Sequence, residues 1–169
     1  MEEINYWIWL SRIRKLGSVK TQKILEIYHH PKEIWKLKKE DLIKIEGVGE
    51  KIADEILNQK YRVNLDKIRE KMEKEHIELI TLYDKDYPQK LHELYDKPIS
   101  LYVKGNKNLL NEFSLAMIGC RENSEYGKII AQAIAKGLAK KGIITISGLA
   151  KGIDSISHIS TLMARRKNN

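Results

Sequence analysis

The stretches AMIGCRENSEYG (residues 116–127) and ITISGLAKGID (residues 144–154) decide the fold of the C-terminal part of the chain. In each, a short apolar run ends in a glycine-containing loop, and a helical pattern follows, over 125–141 in the first case and from Gly152 onward in the second. Buried strands that alternate with helices at this spacing predict a βαβα unit with parallel strands. Ser124 is the predicted N-cap of the first of these helices.

The residues before this unit have a different pattern. Helical periodicity dominates up to residue 76, and no strand pattern precedes Ile77. Residues 77–82 and 99–103 then read as strands. The predicted fold class is therefore α/β, with a helical domain over residues 1–76 and a partial Rossmann-like parallel βαβα domain over residues 77–169.

Composition narrows the class of protein. The chain has 169 residues, 42% hydrophobic and 32% charged, which suits a globular protein. One cysteine excludes an internal disulfide and a cysteine-rich zinc module. No apolar run approaches the roughly 18 residues of a membrane span, and the acidic start does not resemble a secretory signal, so a cytoplasmic location is expected. The net charge of +8 favours a polyanionic partner.

The predicted functional site lies in the two glycine-containing loops. Each loop follows a parallel strand, and ligands of open α/β sheets bind at that edge. Each also carries a cation, Arg121 in the first and Lys151 in the second. Glycines permit close backbone approach, and serine hydroxyls can donate to phosphate oxygens. The predicted phosphate or DNA pocket comprises Gly119, Arg121, Ser124, Ser147, Gly148, Lys151 and Gly152.

No catalytic group, cofactor or metal site is predicted. Neither loop is a Walker A or a G-x-G-x-x-G motif. Asp154 and His158 are four residues apart on a helix and can be read as an acid–base pair, but local capping and packing are the preferred interpretation. Cys120 is similarly interpreted as a small residue in a tight turn and not as a reactive thiol.

The helical part contains a helix-hairpin-helix pattern over residues 42–56. Gly47 and Gly49 flank Val48, and this arrangement brings backbone N–H groups to the start of the next helix, where Lys51 adds a positive charge. Gly47, Gly49 and Lys51 are therefore predicted as a secondary phosphate contact. The alternative is a hairpin that serves only packing, which Glu46 and Glu50 beside the glycines favour. A degenerate copy lies upstream, over residues 13–27, so residues 1–60 are expected to form a tandem pair. Trp7, Trp9 and Trp35 are expected in the core.

Four motifs together resemble the DNA-processing protein A family, DprA, also called Smf. They are Tyr87-Pro88, the stretch from Pro98 to Asn106, and the two loop motifs with their extensions to Gly127 and His158. The resemblance implies a helical N-terminal domain and a Rossmann-like domain without enzymatic activity. It implies single-stranded DNA binding during DNA uptake, natural transformation (competence) and recombination, with loading of the RecA recombinase and a possible homodimer. Arg121 and Lys151 then occupy the family's basic positions.

Two features depart from the family pattern. Cys120 stands where serine is usual, and the sequence stops soon after the histidine helix, where the family continues with further strands. The chain is therefore expected to be a truncated form with exposed apolar faces, for which RecA loading is doubtful. Two alternatives stay open: a Rossmann-like nucleotide-binding hydrolase of the lysine-decarboxylase-like group, and an inert remnant.

Overall fold

The structure, a computed structural model, describes residues 1–166 of the chain. These residues divide into two compact units, one formed by Met1–Asn111 and one that begins at Glu112. Within residues 1–166, no helix has both the length and the apolar character needed to cross a membrane.

The first unit begins with six helices, in agreement with the helical periodicity of residues 1–76. A left-handed residue, His29, ends the second helix, and Pro31 begins the third. The side chain of Asn64 caps the sixth helix by accepting a hydrogen bond from the N–H of Lys67 at 2.9 Å. The helices are α1 (Glu3–Ser11), α2 (Gly17–Tyr28), α3 (Pro31–Lys36), α4 (Lys39–Leu42), α5 (Glu50–Arg62) and α6 (Leu65–Lys74).

An apolar core built around aromatic rings holds these helices together. Trp7 and Trp9 are almost completely buried, and the ring of Trp35 meets that of Trp9 edge to face at 4.9 Å. The prediction that the three tryptophans belong to the core is confirmed. Leu42, Val48, Ala53 and Ile56 of the hairpin pattern enter the same core, so the spacing of that pattern is explained by packing.

Two antiparallel strands complete the first unit. Strand β1 (Ile77–Thr81) pairs with β2 (Ser100–Lys104), and helix α7 (Gln89–His92) lies between them in the chain. The buried Tyr87 hydroxyl donates to the carbonyl of Pro98 at 2.6 Å and so joins the two proline-containing segments. A 3-10 turn (Lys107–Asn111) follows β2 and ends the unit.

The compact units do not divide where the sequence pattern changes. Ile99, Leu79 and Leu82 pack against the helical core, so the strand pair is part of the first unit although the helices end before it. A single apolar core thus spans the change from helical to strand periodicity. The division into domains of 1–76 and 77–169 stays a prediction about sequence domains, whereas the structural division falls between Asn111 and Glu112.

The second unit is the predicted βαβα unit. Strand β3 (Ser114–Ala116) pairs in parallel with β4 (Ile144–Ile146), and each is followed by a helix, α8 (Glu125–Lys140) and α9 (Ile153–Arg166). The buried core of this unit is small, with Met117, Ala131 and Ala135 at its centre. Many large apolar side chains are exposed, among them Ile146, Ile159 and Leu162. The predicted fold class, a helical part followed by a partial Rossmann-like βαβα unit, is confirmed.

Candidate nucleic-acid interface

The two loops of the second unit lie against each other. We call the segment between β3 and α8 (residues 117–124) the first turn, and the segment between β4 and α9 (residues 147–152) the second turn. The backbone N–H of Ile153, directly after the second turn, donates to the carbonyl of Cys120 in the first turn at 3.2 Å. The parallel pairing of β3 and β4 brings both turns to one edge of the sheet.

Glycine is required where the turns meet. Gly152 has a φ of +81°, and a Cβ atom there would fall against the backbone of Cys120 and only 2.5 Å from the carbonyl oxygen of Arg121. Gly119 is constrained from the other side, because a Cβ would approach Ile153 side-chain atoms at 2.8 Å. Both glycines therefore permit the close packing of one turn on the other.

The two turns also use several of their own polar groups internally. The Ser147 hydroxyl donates to the carbonyl of Met117 at 2.6 Å. The N–H of Gly148 donates to the Asp154 carboxylate at 3.1 Å, and that carboxylate is buried. Ser147 and Gly148, which the sequence pattern predicts to bind phosphate, thus use these groups to hold the turns in shape. Local hydrogen bonding of this kind cannot be read from residue spacing alone.

Ser124 keeps a free donor. Its Oγ accepts a hydrogen bond from the N–H of Gly127 at 3.1 Å, which confirms the predicted N-cap of α8. Because the oxygen acts as acceptor in this bond, the hydroxyl proton remains available to a phosphate oxygen. Ser124 is also exposed, so a ligand can reach it.

The two cations of the turns face solvent. Arg121 and Lys151 are exposed, and neither forms an ion pair with any residue of the part of the chain that the structure describes. Three carboxylates lie in or next to the turns. Glu122 is in the first turn, Glu125 pairs with Lys128 at 3.4 Å, and Asp154 is buried. The guanidinium and the ammonium are therefore available to an anion, while the nearest buried carboxylate is occupied by the Gly148 N–H.

Asp154 and Cys120 both take part in local contacts within the second unit. Within residues 1–166, no hydrogen bond or ion pair joins Asp154 to His158, and Asp154 instead bonds Gly148. The preferred local interpretation of Asp154 is thereby supported. Cys120 is exposed and contributes its backbone carbonyl to the contact between the turns. No cluster of three histidine, cysteine, aspartate or glutamate side chains suited to a metal ion occurs among the residues described.

The helix-hairpin-helix segment of the first unit has the predicted backbone form. Gly47 has a φ of +80°, and Gly49 is the N-cap of α5, whose first N–H groups have no partners within the helix. Lys51 is exposed in the first turn of α5. Glu46 and Glu50 lie 3.8 and 3.9 Å from the ammonium groups of Lys23 and Lys39, respectively, so their charge is partly offset. A phosphate contact of Gly47, Gly49 and Lys51 stays a prediction.

The upstream copy of the hairpin differs in its helix start. Helix α2 begins at Gly17, which has a φ of +71°, so Val19 lies inside the helix where the second copy has the capping Gly49. At the start of α2, the Thr21 hydroxyl donates to the Gly17 carbonyl at 2.7 Å. The replacement of the second glycine by Val19 therefore changes the N–H donors at the start of α2.

Comparisons with known proteins agree with this architecture. A family model described as DNA recombination-mediator protein A matches residues 78–168, and a model described as a SAM-like helix-hairpin-helix tandem matches residues 10–59. The second match supports the predicted tandem of hairpins.

Individual relatives are similar over much of this chain. Protein Smf of Synechocystis sp. is 27% identical over 93% of this chain and 40% of its own length. DNA processing protein DprA of Streptococcus pneumoniae is 30% identical over 77% of this chain and 53% of its own length. The crystal structure of DprA from Streptococcus pneumoniae aligns with 97% of this chain and 56% of that chain, with a TM-score of 0.73 and 27% identity.

The chain spans about half, or less, of the length of these relatives. The family model nevertheless covers more than half of the present chain and includes both turns. The chain therefore belongs to the DNA recombination-mediator protein A family, the DprA/Smf family.

Proposed function

We propose that the chain binds single-stranded DNA through the two turns of its second unit, without sequence preference and without catalysing a reaction. The observation that carries the proposal is the contact between the turns, in which Ile153 donates to the Cys120 carbonyl. It brings the backbones next to Arg121 and Lys151 together while both cations stay exposed and unpaired among the described residues.

The chemistry of the turns suits a phosphodiester backbone. Two cations of different geometry, the planar Arg121 and the compact Lys151, are presented beside the free hydroxyl of Ser124. Contacts of this kind neutralise phosphates and do not read base edges, so binding is expected to be salt-dependent and tolerant of sequence.

The biological setting is proposed from the family. The relatives in Bacillus subtilis and Streptococcus pneumoniae are named DNA processing protein DprA. We propose that this chain acts in uptake of DNA, natural transformation and recombination, where it protects an incoming strand. Loading of RecA and formation of a homodimer are further expectations for the family, and for this chain they are proposals that a RecA-filament assay and a sedimentation measurement would test.

The site does not favour the hydrolase alternative. Cleavage of a nucleotide would require a carboxylate or a base that is directed at the substrate. Asp154, which follows the second turn, is buried and instead accepts a hydrogen bond from Gly148. We expect no release of free base when the chain is incubated with nucleoside monophosphates. Release of base at a rate that depends on Asp154 would favour the hydrolase.

Charge reversal tests the binding site directly. Arg121→Glu and Lys151→Glu should each weaken binding of a fluorescein-labelled oligo(dT) by about tenfold at low salt, measured by fluorescence anisotropy. Lys136→Glu is the matched control, because Lys136 is exposed on α8 and lies about 16 Å along that helix from Glu125. Equal affinities of all three variants would contradict the assignment.

A further inference from the structure

A second basic surface lies on the first unit. A cleft of about 670 Å³ opens where the chain between α1 and α2 faces the connection between α5 and α6. Four of its lining residues are cations and one is a carboxylate: Arg12, Arg14, Arg62, Lys67 and Glu55. Such an excess of one charge in a concave surface raises the local concentration of ligands of the opposite charge.

Most of the positive charge in this cleft has no partner. Arg12, Arg14 and Lys67 are exposed and form no ion pair with any residue within 1–166. Only Arg62 is paired, with Glu55 at 3.4 Å.

Other lysines of the same unit behave differently. Lys39 contacts Asp54 at 2.8 Å, Lys104 contacts Glu75 at 2.7 Å, and Lys107 lies within 3.0 Å of both Glu78 and Asp86. For Lys107, these two carboxylates raise the pKa to about 12. Lys39, Lys104 and Lys107 are thus neutralised by neighbouring carboxylates, whereas Arg12, Arg14 and Lys67 of the cleft are not.

An exposed aromatic ring lies beside the basic cleft. An adjoining cleft of about 710 Å³ shares Arg62, Val63 and Asn64 with the first, and Tyr61 in its wall is 88% exposed. The charges of this second cleft are balanced. Its charged side chains are two arginines, Arg62 and Arg69, and two carboxylates, Glu2 and Asp66. Arg69 pairs with Glu2 at 2.9 Å. The ring of Tyr61 therefore adjoins a strongly basic surface without being part of it.

We propose that these two clefts together, which we call the elbow groove, form a second binding site for a single nucleic-acid strand. Arg12, Arg14 and Lys67 hold the phosphate backbone, and the ring of Tyr61 stacks on a base. Cations that follow a backbone beside an aromatic platform are the combination that binds single strands without sequence readout. An acidic protein segment would use the cations but would have no need of the exposed ring. The choice of a nucleic acid as ligand rests on the proposed function, but the residues of the elbow groove are independent of the two turns.

The test uses the full chain and a fluorescein-labelled oligo(dT) at low salt. Arg14→Glu combined with Lys67→Glu should weaken binding by about tenfold or more, and Tyr61→Ala by at least about fivefold. Both reversals are at positions that tolerate glutamate, since Arg14 lies in a turn and Lys67 in the first turn of α6, where acidic residues are favourable. Unchanged tryptophan fluorescence would show that the variants are folded.

The matched control carries Lys32→Glu and Lys85→Glu. Both lysines are exposed on the same unit, form no ion pair among the described residues and lie outside both clefts, so the change in net charge is identical. Equal affinity of the control and the elbow-groove variant would overturn the inference. Competition by poly-glutamate as effective as that by unlabelled oligo(dT) would also overturn it, in favour of an acidic protein partner.

The two proposals fail in different ways. If the Arg121 and Lys151 variants lose binding while the elbow-groove variants do not, the inference fails and the proposed function stands. If the elbow-groove variants alone lose binding, the turns are wrong as the DNA site and the elbow groove is retained. Amide shifts of a ¹⁵N-labelled chain on addition of oligo(dT) give the same distinction, at residues 12–14 and 61–67 or at residues 119–124 and 147–152.

Discussion

Replacement of Gly152 by alanine should separate the two turns and destabilise the second unit. The φ of +81° at this position disfavours any side chain, at a cost of roughly 1–2 kcal/mol. The added Cβ would also lie 2.5 Å from the Arg121 carbonyl oxygen and against Cys120, and an overpacked contact costs about 1–3 kcal/mol more. The expected total is about 2–5 kcal/mol.

Hydrogen exchange of α8 measures this loss, because the tryptophans at positions 7, 9 and 35 all lie in the first unit and do not report on the second. A loss of 2 kcal/mol accelerates the exchange of protected amides in peptides from Glu125–Lys140 by about 30-fold. DNA binding should weaken in parallel, because the backbones that present Arg121 and Lys151 no longer pack on each other.

Gly137→Ala is the control for this variant. Gly137 lies within α8, its φ is negative, and a Cβ there meets nothing within 4 Å, so alanine should stabilise the helix by about 0.5–1 kcal/mol. The reasoning would be refuted if Gly152→Ala and Gly137→Ala gave the same exchange rates, since the contact between the turns would then contribute nothing to the unit.

Three further predictions concern the first unit. Tyr87→Phe removes the buried hydroxyl that donates to the Pro98 carbonyl, and this should lower the free energy of unfolding by about 1–3 kcal/mol. The midpoint of urea unfolding, followed by tryptophan fluorescence, should fall accordingly, and an unchanged midpoint would count against the bond. Ala53→Leu should destabilise the hairpin by about 1–3 kcal/mol in the same assay, because Ala53 is fully buried between packed helices; a stabilised variant would show that the site has room. Lys104→Met should raise the pKa of Glu75, which the hydrogen bond from Lys104 holds below the ordinary 4.5. The stabilisation from this lowered pKa is present above pH 4.5 and is lost as the pH falls through the lowered value. A carboxylate NMR titration of Glu75 that is identical in parent and variant would contradict the pairing.

Much of the fold follows from local patterns in the sequence. The periodicity of the first 76 residues predicts the helices. Ser124 is the N-cap of α8, as predicted, and Pro31 is the first residue of α3. The βαβα unit is likewise predicted by two apolar runs that end in glycine-containing loops, over residues 115–119 and 143–147. Strand β4 is one residue shorter than its run at each end, whereas β3 begins one residue before its run and ends three residues before the end of that run.

The limits of that prediction are physical. The boundary between the compact units depends on the packing of Leu79 and Ile99 into a helical core, which is a contact between residues distant in sequence. The use of Ser147 and Gly148 within the turns likewise depends on where Met117 and Asp154 lie in three dimensions. Residue type identified the two turns, but only the geometry distinguishes the groups that shape them from the groups that remain free.

The exposed apolar side chains of the second unit agree with the expectation of an incompletely covered sheet. Ile146 on β4 and Leu162 on α9 are about half exposed or more, although both belong to elements of the unit. This chain covers 40% of the length of the Synechocystis relative and 53% of that of the Streptococcus pneumoniae relative.

The central claim is that Arg121 and Lys151 together contact a phosphate backbone, and the salt dependence of binding tests it most directly. Each phosphate contact on a single strand contributes about 0.7 to the slope of log K against log salt concentration. The variant with both Arg121→Ala and Lys151→Ala should therefore bind oligo(dT) with a slope smaller by about 1.4 than that of the parent chain. A slope that does not change, at whatever affinity, would contradict the account.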